Sequence, residues 1–351
     1  MKVLPQVMID ARMVGPIPHG IARYVTLLAE GLGGRELSYE PVFLVDPRLW
    51  TQPDFAGFRT IPVQAPFLDV PREWWQVRAA LRGAALFHSP SFASFPLCPV
   101  PWVVTVHDLN HLQYGSWAKK FYYRTFLKTF IRRAAAVTTV SQFSERELRE
   151  WLGYKVQITV VENALDPRFA GPSRPAEREK GYFLCVANDK PHKRVKFLID
   201  VYEVYRAICG KDALPLVTTV AGPGAAGVER IGGVGNEELR SLLAGARAGF
   251  FPAAYEGFGL PPLEAAVEGC PVFVSDIPSH REALRFFGGQ GVTWLPVDDS
   301  AAWASAFEKA HRGDLESSLP EERALAFSTL SPARLAADMD QIYRRVLRLP
   351  S

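Results

Sequence analysis

Two glutamates, Glu256 and Glu264, bracket the run Gly257-Phe258-Gly259-Leu260-Pro261-Pro262-Leu263. Phe250-Phe251 ends an apolar run that reads as a buried strand, and Pro252-Ala253-Ala254-Tyr255 leads out of it. Gly257 and Gly259 let backbone approach a ligand closely, because glycine has no Cβ. Pro261-Pro262 suit the opening of a helix that runs to Gly269, since the N–H that proline lacks would have no helical partner there. N–H groups from Gly257 to Leu260 then face outward at the positive end of the helix dipole, an arrangement that receives phosphate. A carboxylate beside a phosphate is unfavourable unless it holds something else, and sugar hydroxyls are partners that fit. Glu264 would hold ribose hydroxyls and Glu256 a second sugar. The competing interpretation is a plain strand-loop-helix with surface glutamates.

The elements that must carry this loop alternate between short apolar runs and helical patterns. Val7-Met8-Ile9 reads as a strand, and Ile21, Tyr24, Val25, Leu28 and Leu32 form one face of a helix that starts at Gly20. Further strand-like runs lie at 41–45, 85–88, 102–106, 136–140 and 158–161. Uninterrupted β-rich runs suit parallel strands buried on both faces. A stretch rich in proline, glycine and charge at 166–180 reads as a linker. The pattern then restarts, with strands at 182–186, 216–220, 248–251 and 272–274 and helices at 194–209, 237–243 and 262–267. A last helix, 332–347, opens with Pro332 after Ser331. The expectation is two α/β, Rossmann-like, doubly wound domains, 1–165 and 181–331, facing a central cleft. The closing helix, about 332–348, should pack back on the first domain. Ligands of such sheets bind beyond the carboxyl ends of the strands where strand order reverses.

The 351 residues accommodate two domains, and the 48% apolar and 22% charged fractions are ordinary for a globular chain. With 40 basic and 37 acidic residues the charge is too even for a general nucleic-acid binder. Cys98, Cys185, Cys209 and Cys270 form no Cys-x-x-Cys pair and read as small buried hydrophobes. Met1 to Asp10 lacks the apolar core of a signal peptide, and no run reaches about 18 apolar residues, so a cytoplasmic location is expected.

Glu256 and Glu264 with the intervening Gly-Phe-Gly-Leu-Pro resemble the Glu-x7-Glu motif of the retaining glycosyltransferases of family 4, which have the GT-B architecture. The resemblance covers nearly the whole chain. His19-Gly20-Ile21-Ala22-Arg23 is similar to the family's first glycine turn, with Ala22 in place of a glycine. Val106-His107-Asp108 is similar to its His-Asp segment, and Ser141-Gln142-Phe143-Ser144 to its serine-bearing turn, although a capping box of Ser144 with Glu147 would also account for the latter. Glu162-Asn163-Ala164-Leu165-Asp166 resembles the stretch before the linker, with Ala164 for glycine. Asn188-Asp189-Lys190-Pro191-His192-Lys193-Arg194 is similar to the segment that supplies cations to the diphosphate. There His192 stands for the common arginine, Arg194 for the common asparagine, and Ala187 for a glycine. Residues 231–239 resemble the segment whose backbone meets the base, and Glu282 matches a family glutamate.

The resemblance implies a retaining hexosyltransferase that moves a sugar from a nucleoside diphosphate to an acceptor hydroxyl in glycan, polysaccharide or glycolipid assembly. The nucleotide sugar is a substrate; no cofactor and no metal are expected. On the donor side the implied residues are Gly20, Lys193, Arg194, Val234, Glu256, Gly257, Phe258, Gly259, Leu260 and Glu264. Arg23, His107 and Asp108 fall on the acceptor side, and His107, Glu256 and Lys193 are the catalytic candidates. Lys193 matches the family lysine, while the second cation stays open among Lys190, His192 and Arg194. Mannose from GDP-mannose is the transfer that a likeness to bacterial polysaccharide-assembly enzymes points to. The single Asp-x-Asp, Asp338-Met339-Asp340, reads as a solvent-facing part of the closing helix.

Other readings compete. A non-catalytic nucleotide-sugar-binding protein and a sugar-nucleotide epimerase share the fold implied here. Gly222-Pro223-Gly224-Ala225-Ala226-Gly227 spells a dinucleotide-binding fingerprint, but no clear acidic residue ends the next strand, which argues against a dehydrogenase. Residues 117–133 mix aromatic and basic side chains. They read either as an outer helix with a solvated basic face or as a peripheral contact with the inner membrane face, which would suit a lipid-linked acceptor.

Overall fold

The structure is a computed structural model, and it describes residues 4–15, 19–49, 55–64, 70–91, 98–170, 174–176, 181–313 and 315–350, with side chains from 75 onward in the fourth span. Two units emerge. The first joins Met1–Asp166 to Leu330–Ser351; the second is Pro167–Thr329.

In the first unit seven parallel strands form one sheet: β1 (Gln6–Asp10), β2 (Glu40–Val45), β3 (Arg59–Pro62), β4 (Ala84–Ser89), β5 (Trp102–Thr105), β6 (Ala136–Thr139) and β7 (Ile158–Val160). Their order is β3-β2-β1-β4-β5-β6-β7, so the sheet winds outward in both directions from a switch point between β1 and β4. Val7, Met8 and Ile9 are buried, as a central strand covered on both faces demands. The half-exposed edge strand β3 and the helix Val70–Ala80 had no clear apolar period in the sequence.

The helix Gly20–Gly33 follows β1 and is crossed closely by the last helix, Pro332–Leu347. A Cβ on Gly31 would lie 2.0 Å from the Pro332 carbonyl oxygen, so only glycine permits this approach. Ser331 caps the last helix by accepting from Arg334 N at 3.3 Å, and Pro332 occupies its first turn. Leu335, Ala336, Met339, Ile342 and Tyr343 are its buried stripe. That stripe also corrects the reading of the Asp-x-Asp. Asp338 pairs with Arg334 on the outer side, but Asp340 is buried, bonded to Arg344 at 3.0 Å and to Arg35 at 3.4 Å. Two positions along a helix rotate the side chain by about 200°, which separates the two aspartates.

The second unit holds a six-stranded parallel sheet: β8 (Phe183–Cys185), β9 (Leu216–Thr218), β10 (Val228–Arg230), β11 (Ala248–Phe251), β12 (Val272–Ser275) and β13 (Val292–Leu295). Its order, β10-β9-β8-β11-β12-β13, puts the switch point between β8 and β11. Phe250 stacks on Phe307 of the helix Ser300–Arg312 with centroids 4.0 Å apart and on Phe273 of β12 at 4.9 Å, which anchors β11 to a covering helix and to one neighbouring strand. β10 and β13 did not stand out in the sequence. Of the expected linker, 171–173 and 177–180 lie outside the described residues; Pro167–Ala170 is a short 3-10 turn of the second unit, with Phe169 buried.

Candidate functional site

In the second unit, the loops after β8 and β11 leave the sheet on either side of the switch point. The β8 loop tightens into the turn Pro191–Lys193 before the helix Val195–Cys209. The β11 loop runs through Glu256 to the helix Leu260–Val267. The two are tied by Ala254 N donating to the His192 carbonyl at 2.8 Å. They meet at an ion pair: Lys193 Nζ donates to Glu256 Oε1, with side chains only 14% and 13% exposed. A charge pair this enclosed is stabilised by mutual attraction while each member remains dependent on the other. Burial alone would raise the Glu256 carboxyl, but Lys193 together with His280 and His192 holds it below the ordinary carboxylate range.

The turn beyond Glu256 has the expected form. Gly257, Phe258 and Gly259 are buried, and Gly259 caps the helix with φ of 106°, a left-handed backbone that excludes ordinary side chains. Pro261 and Pro262 carry no N–H, and Leu263 N–H is directed to the Gly259 carbonyl at 3.4 Å. The amides at the head of the helix are therefore those of Gly259 and Leu260. Glu264 sits in the same helix with 3% exposure. Val234 is half-buried in the loop before the helix Asn236–Gly245.

Beneath the turn lies His280, fully buried, a residue that sequence reasoning passed over. Its Nδ1 donates to the Ser275 carbonyl at 2.9 Å at the end of β12. Ser275 Oγ in turn bonds the carbonyls of Phe251 and Ala253 at 3.0 and 2.5 Å, tying β12 to the β11 loop. A Cβ on Gly259 would meet His280 Cδ2 at 2.8 Å, so the imidazole is the floor on which the turn rests.

Among the candidate cations, only Lys193 reaches Glu256. Arg194 adopts a left-handed backbone with φ of 54°, which asparagine tolerates better than arginine. Its guanidinium donates to the Val297 carbonyl, pairs with Asp298 at 2.8 Å and stacks on Phe197 at 4.2 Å. His192 is buried edge-on to Tyr255, with ring centroids 6.4 Å apart, and Lys190 is exposed.

The first unit carries its own candidates at its strand ends. Gly20 opens the helix after β1, capped by His19 Nδ1, which accepts from Ala22 N at 3.4 Å; Gly20 is exposed and Arg23 half-buried. His107 follows β5. Its Nε2 donates to the Pro90 carbonyl at 3.0 Å and its ring stands edge-on to Tyr24 at 5.0 Å. Burial pushes it down to about 4, with the Pro90 carbonyl opposing and His19 adding. His107 is therefore neutral near pH 7, with Nδ1 left as acceptor. Asp108 accepts from Asn110 N at 2.9 Å and from its side-chain amide at 3.2 Å, so it holds the first residue of the short helix Asn110–Gln113. The expected cap at Ser144 is displaced: Ser141 Oγ accepts from Ser144 N at 3.0 Å, and Ser144 Oγ donates to the His107 carbonyl at 3.1 Å. Ser141, and not Ser144, has the extended backbone of a cap, and the later serine holds the His107 loop.

Behind His107 runs a chain of buried hydroxyls. His88 Nε2 is 2.8 Å from Thr105 Oγ1, which is 2.7 Å from Thr138 Oγ1; Thr138 donates to the Val104 carbonyl at 3.3 Å, and Tyr343 OH is 2.6 Å from His88 Nδ1. Because the last carbonyl can only accept, one direction satisfies all members: Tyr343 donates to His88, His88 to Thr105, Thr105 to Thr138. Burial, and next His107, push His88 down to about 3, which keeps it neutral as this chain requires. Among the described residues no cluster of three or more His, Cys, Asp or Glu could hold a metal ion.

Comparison with known proteins adds to this geometry. Residues 19–164 match the family described as a glycosyl transferase 4-like domain, and residues 171–322 match the glycosyl transferases group 1. The chain is 30% identical over 216 residues to the O-antigen chain mannosyltransferase RfbU of Salmonella typhimurium, covering 58% of this chain and 59% of that protein. It is 27% identical over 242 residues to the O-antigen chain mannosyltransferase B of Escherichia coli, covering 62% of each. The match thus spans about six-tenths of the length of these relatives. Sucrose-phosphate synthase from Thermosynechococcus elongatus has a similar fold, with a TM-score of 0.71 at 17% identity over 98% of this chain and 99% of that one. So has Anabaena HepE in complex with UDP and glucose, with a TM-score of 0.66 at 14% identity over 97% of this chain and 100% of that one.

Proposed function

The chain belongs to the GT-B glycosyl transferases, a glycosyl transferase 4-like domain followed by a group 1 domain, and on that premise we propose that it is a retaining hexosyltransferase. It moves a sugar from a nucleoside diphosphate sugar to an acceptor hydroxyl during glycan assembly. The observation that carries this reading is the enclosed Lys193–Glu256 pair at the switch point of the second domain. In the reaction the bond from the anomeric carbon to the diphosphate breaks. A bond to the acceptor oxygen forms on the same face, and the acceptor proton passes to the departing diphosphate. Negative charge grows on the leaving group, where Lys193 and the amides of Gly259 and Leu260 stabilise it; preorganised electrostatics of this kind is commonly the largest catalytic contribution. Glu256 holds a hydroxyl of the transferred sugar, and Glu264 the ribose. Neutral His107 offers Nδ1 to a sugar or acceptor hydroxyl.

The names of the similar O-antigen enzymes favour mannose as the sugar. A thermal-shift panel of UDP-, GDP-, ADP- and dTDP-sugars tests the donor, with GDP-mannose expected to stabilise most. Transfer that survives EDTA is expected. Binding of donor without transfer or slow donor hydrolysis would instead make the protein a non-catalytic binder.

A second proposal concerns the acceptor's setting. Trp117 is 79% exposed, and Phe121 and Phe126 are 49% exposed; Trp117 stacks on Phe121 at 5.6 Å. Lys119, Lys120, Arg124 and Lys128 lie in the same stretch, 117–131. Aromatic side chains beside lysine and arginine suit the surface of an anionic bilayer. Among the described residues no helix is long and apolar enough to cross a membrane. Sedimentation with vesicles containing phosphatidylglycerol should succeed at low salt, fail at high salt, and fail for Trp117→Ala/Phe121→Ala.

A further inference from the structure

The Lys193–Glu256 pair raises a question that the donor chemistry leaves open. A diphosphate that takes the Lys193 ammonium removes the counter-charge of a carboxylate whose side chain is only 13% exposed. An enclosed carboxylate left without a partner is strongly unfavourable. Some other positive group must replace the ammonium, or Glu256 must itself take a proton and lose its capacity to accept from a sugar hydroxyl at both oxygens.

A candidate replacement lies under the turn that follows Glu256. His280 is fully buried, its Nδ1 proton is committed to the Ser275 carbonyl at 2.9 Å, and its Nε2 is enclosed with no hydrogen-bond partner. That nitrogen lies 3.6 Å from the position of a Cβ on Gly259, at the turn that follows Glu256. The charged groups that act on the ring are Glu256 from the β11 loop and Lys193 from the Pro191–Lys193 turn; on its own helix, Arg281 is occupied by Asp276 at 2.7 Å. His192 acts on Glu256 from the same turn as Lys193.

We propose that His280 is a positioning residue that takes up a proton at Nε2 when the diphosphate of the donor draws Lys193 away from Glu256. The imidazolium then keeps Glu256 ionised and ready to accept from the sugar. Burial now holds His280 below its ordinary value; Glu256 and the Ser275 carbonyl work against that, and Lys193 works with it. Departure of Lys193 removes the lesser of the two effects that keep the ring neutral and leaves Glu256 and the Ser275 carbonyl opposed by burial alone. The inference rests on the donor reading of Lys193 and Glu256.

The test is calorimetric titration of the full chain with GDP-mannose, and in parallel UDP-glucose, between pH 6.5 and 8. Two non-phosphate buffers of different ionisation heat are used at each pH. The diphosphate diester of an intact nucleotide sugar has no group that titrates there, so linked protons belong to the protein. Wild type should take up as much as one proton, and Kd should weaken as pH rises, by at most about tenfold per unit. His280→Asn retains an amide donor for Ser275; it should bind with no linked proton and a flat pH profile. Glu256→Gln should also lose the linked proton, because the charge to be balanced is gone. Proton uptake undiminished in His280→Asn, or binding by wild type without uptake, overturns the proposal. If neither sugar nucleotide binds, or if Lys193→Ala binds as wild type does, the donor reading itself falls and takes this inference with it.

Discussion

Two buried polar clusters, one in each domain, are organised in opposite ways. In the first, Tyr343, His88, Thr105 and Thr138 form a closed, neutral chain in which every proton has a destination. In the second, Lys193 and Glu256 form a pair of full charges, and the nearby His280 has one nitrogen to spare. A closed neutral chain has nothing to exchange with a ligand; it fixes the last helix to the sheet and steadies the strand ends around His107. A charge pair can be opened by a stronger anion. These two buried clusters thus serve rigidity in one case and substitution of partners in the other.

This contrast can be broken by experiment. The largest effect is expected from Lys193→Ala, which should lower kcat by about a hundred- to a thousandfold, the loss typical of one electrostatic stabiliser, with the fold retained by circular dichroism. Near-wild-type turnover would remove the exchangeable pair from the mechanism. Next, Gly31→Val should destabilise the first domain by about 3 kcal/mol, since the added Cβ overlaps the Pro332 carbonyl. Hydrogen exchange should show the loss in the last helix while donor binding by the second domain persists. Tyr343→Phe removes the donor to His88 and should cost about 1–2 kcal/mol, read as a lower Tm with donor Kd unchanged; a change in donor affinity without a change in Tm would contradict the division of roles.

A further effect concerns pH. Burial holds His88 and His107 down to about 3 and about 4 in the folded protein, below the ordinary value of about 6.5. The unfolded chain therefore binds more protons between those values. The stability they contribute is complete above about pH 6.5 and is lost as pH falls from there toward 4 and then 3. The Tm advantage of wild type over His88→Gln should accordingly narrow from pH 7 to pH 5. A gap that widens on acidification would mean that His88 is held charged.

Much of this is legible in the sequence. The strand runs at 41–45 and 102–106 and the last helix fell within a residue or two of the observed β2, β5 and Pro332–Leu347, because a central parallel strand and an amphipathic helix announce themselves by local pattern. The edge strand β3 and the short β10 were missed, since few of their side chains need to be apolar. The glycine turn and the two prolines after Glu256 were readable for the same local reason. The setting of Arg194 was not: it is itself a donor-side candidate by its place beside Lys193, yet its guanidinium bonds residues 297 and 298. Nor was His280, a single histidine in a helical stretch with nothing in its own segment to mark it.

By itself the sequence determined where strands, helices and turns begin, which backbone positions require glycine, and which residues have the chemistry to bind phosphate and sugar. These are properties of a few consecutive residues, fixed by sterics and by the period of burial. Only the tertiary structure decided that Lys193 meets Glu256, 63 positions away, that His280 lies beneath the turn at Gly259, and that Tyr343 closes on His88, 255 positions away. Those meetings depend on the order in which parallel strands lie side by side. That order is set by the packing of crossover helices over the whole sheet, a sum of many weak contacts that no single segment records.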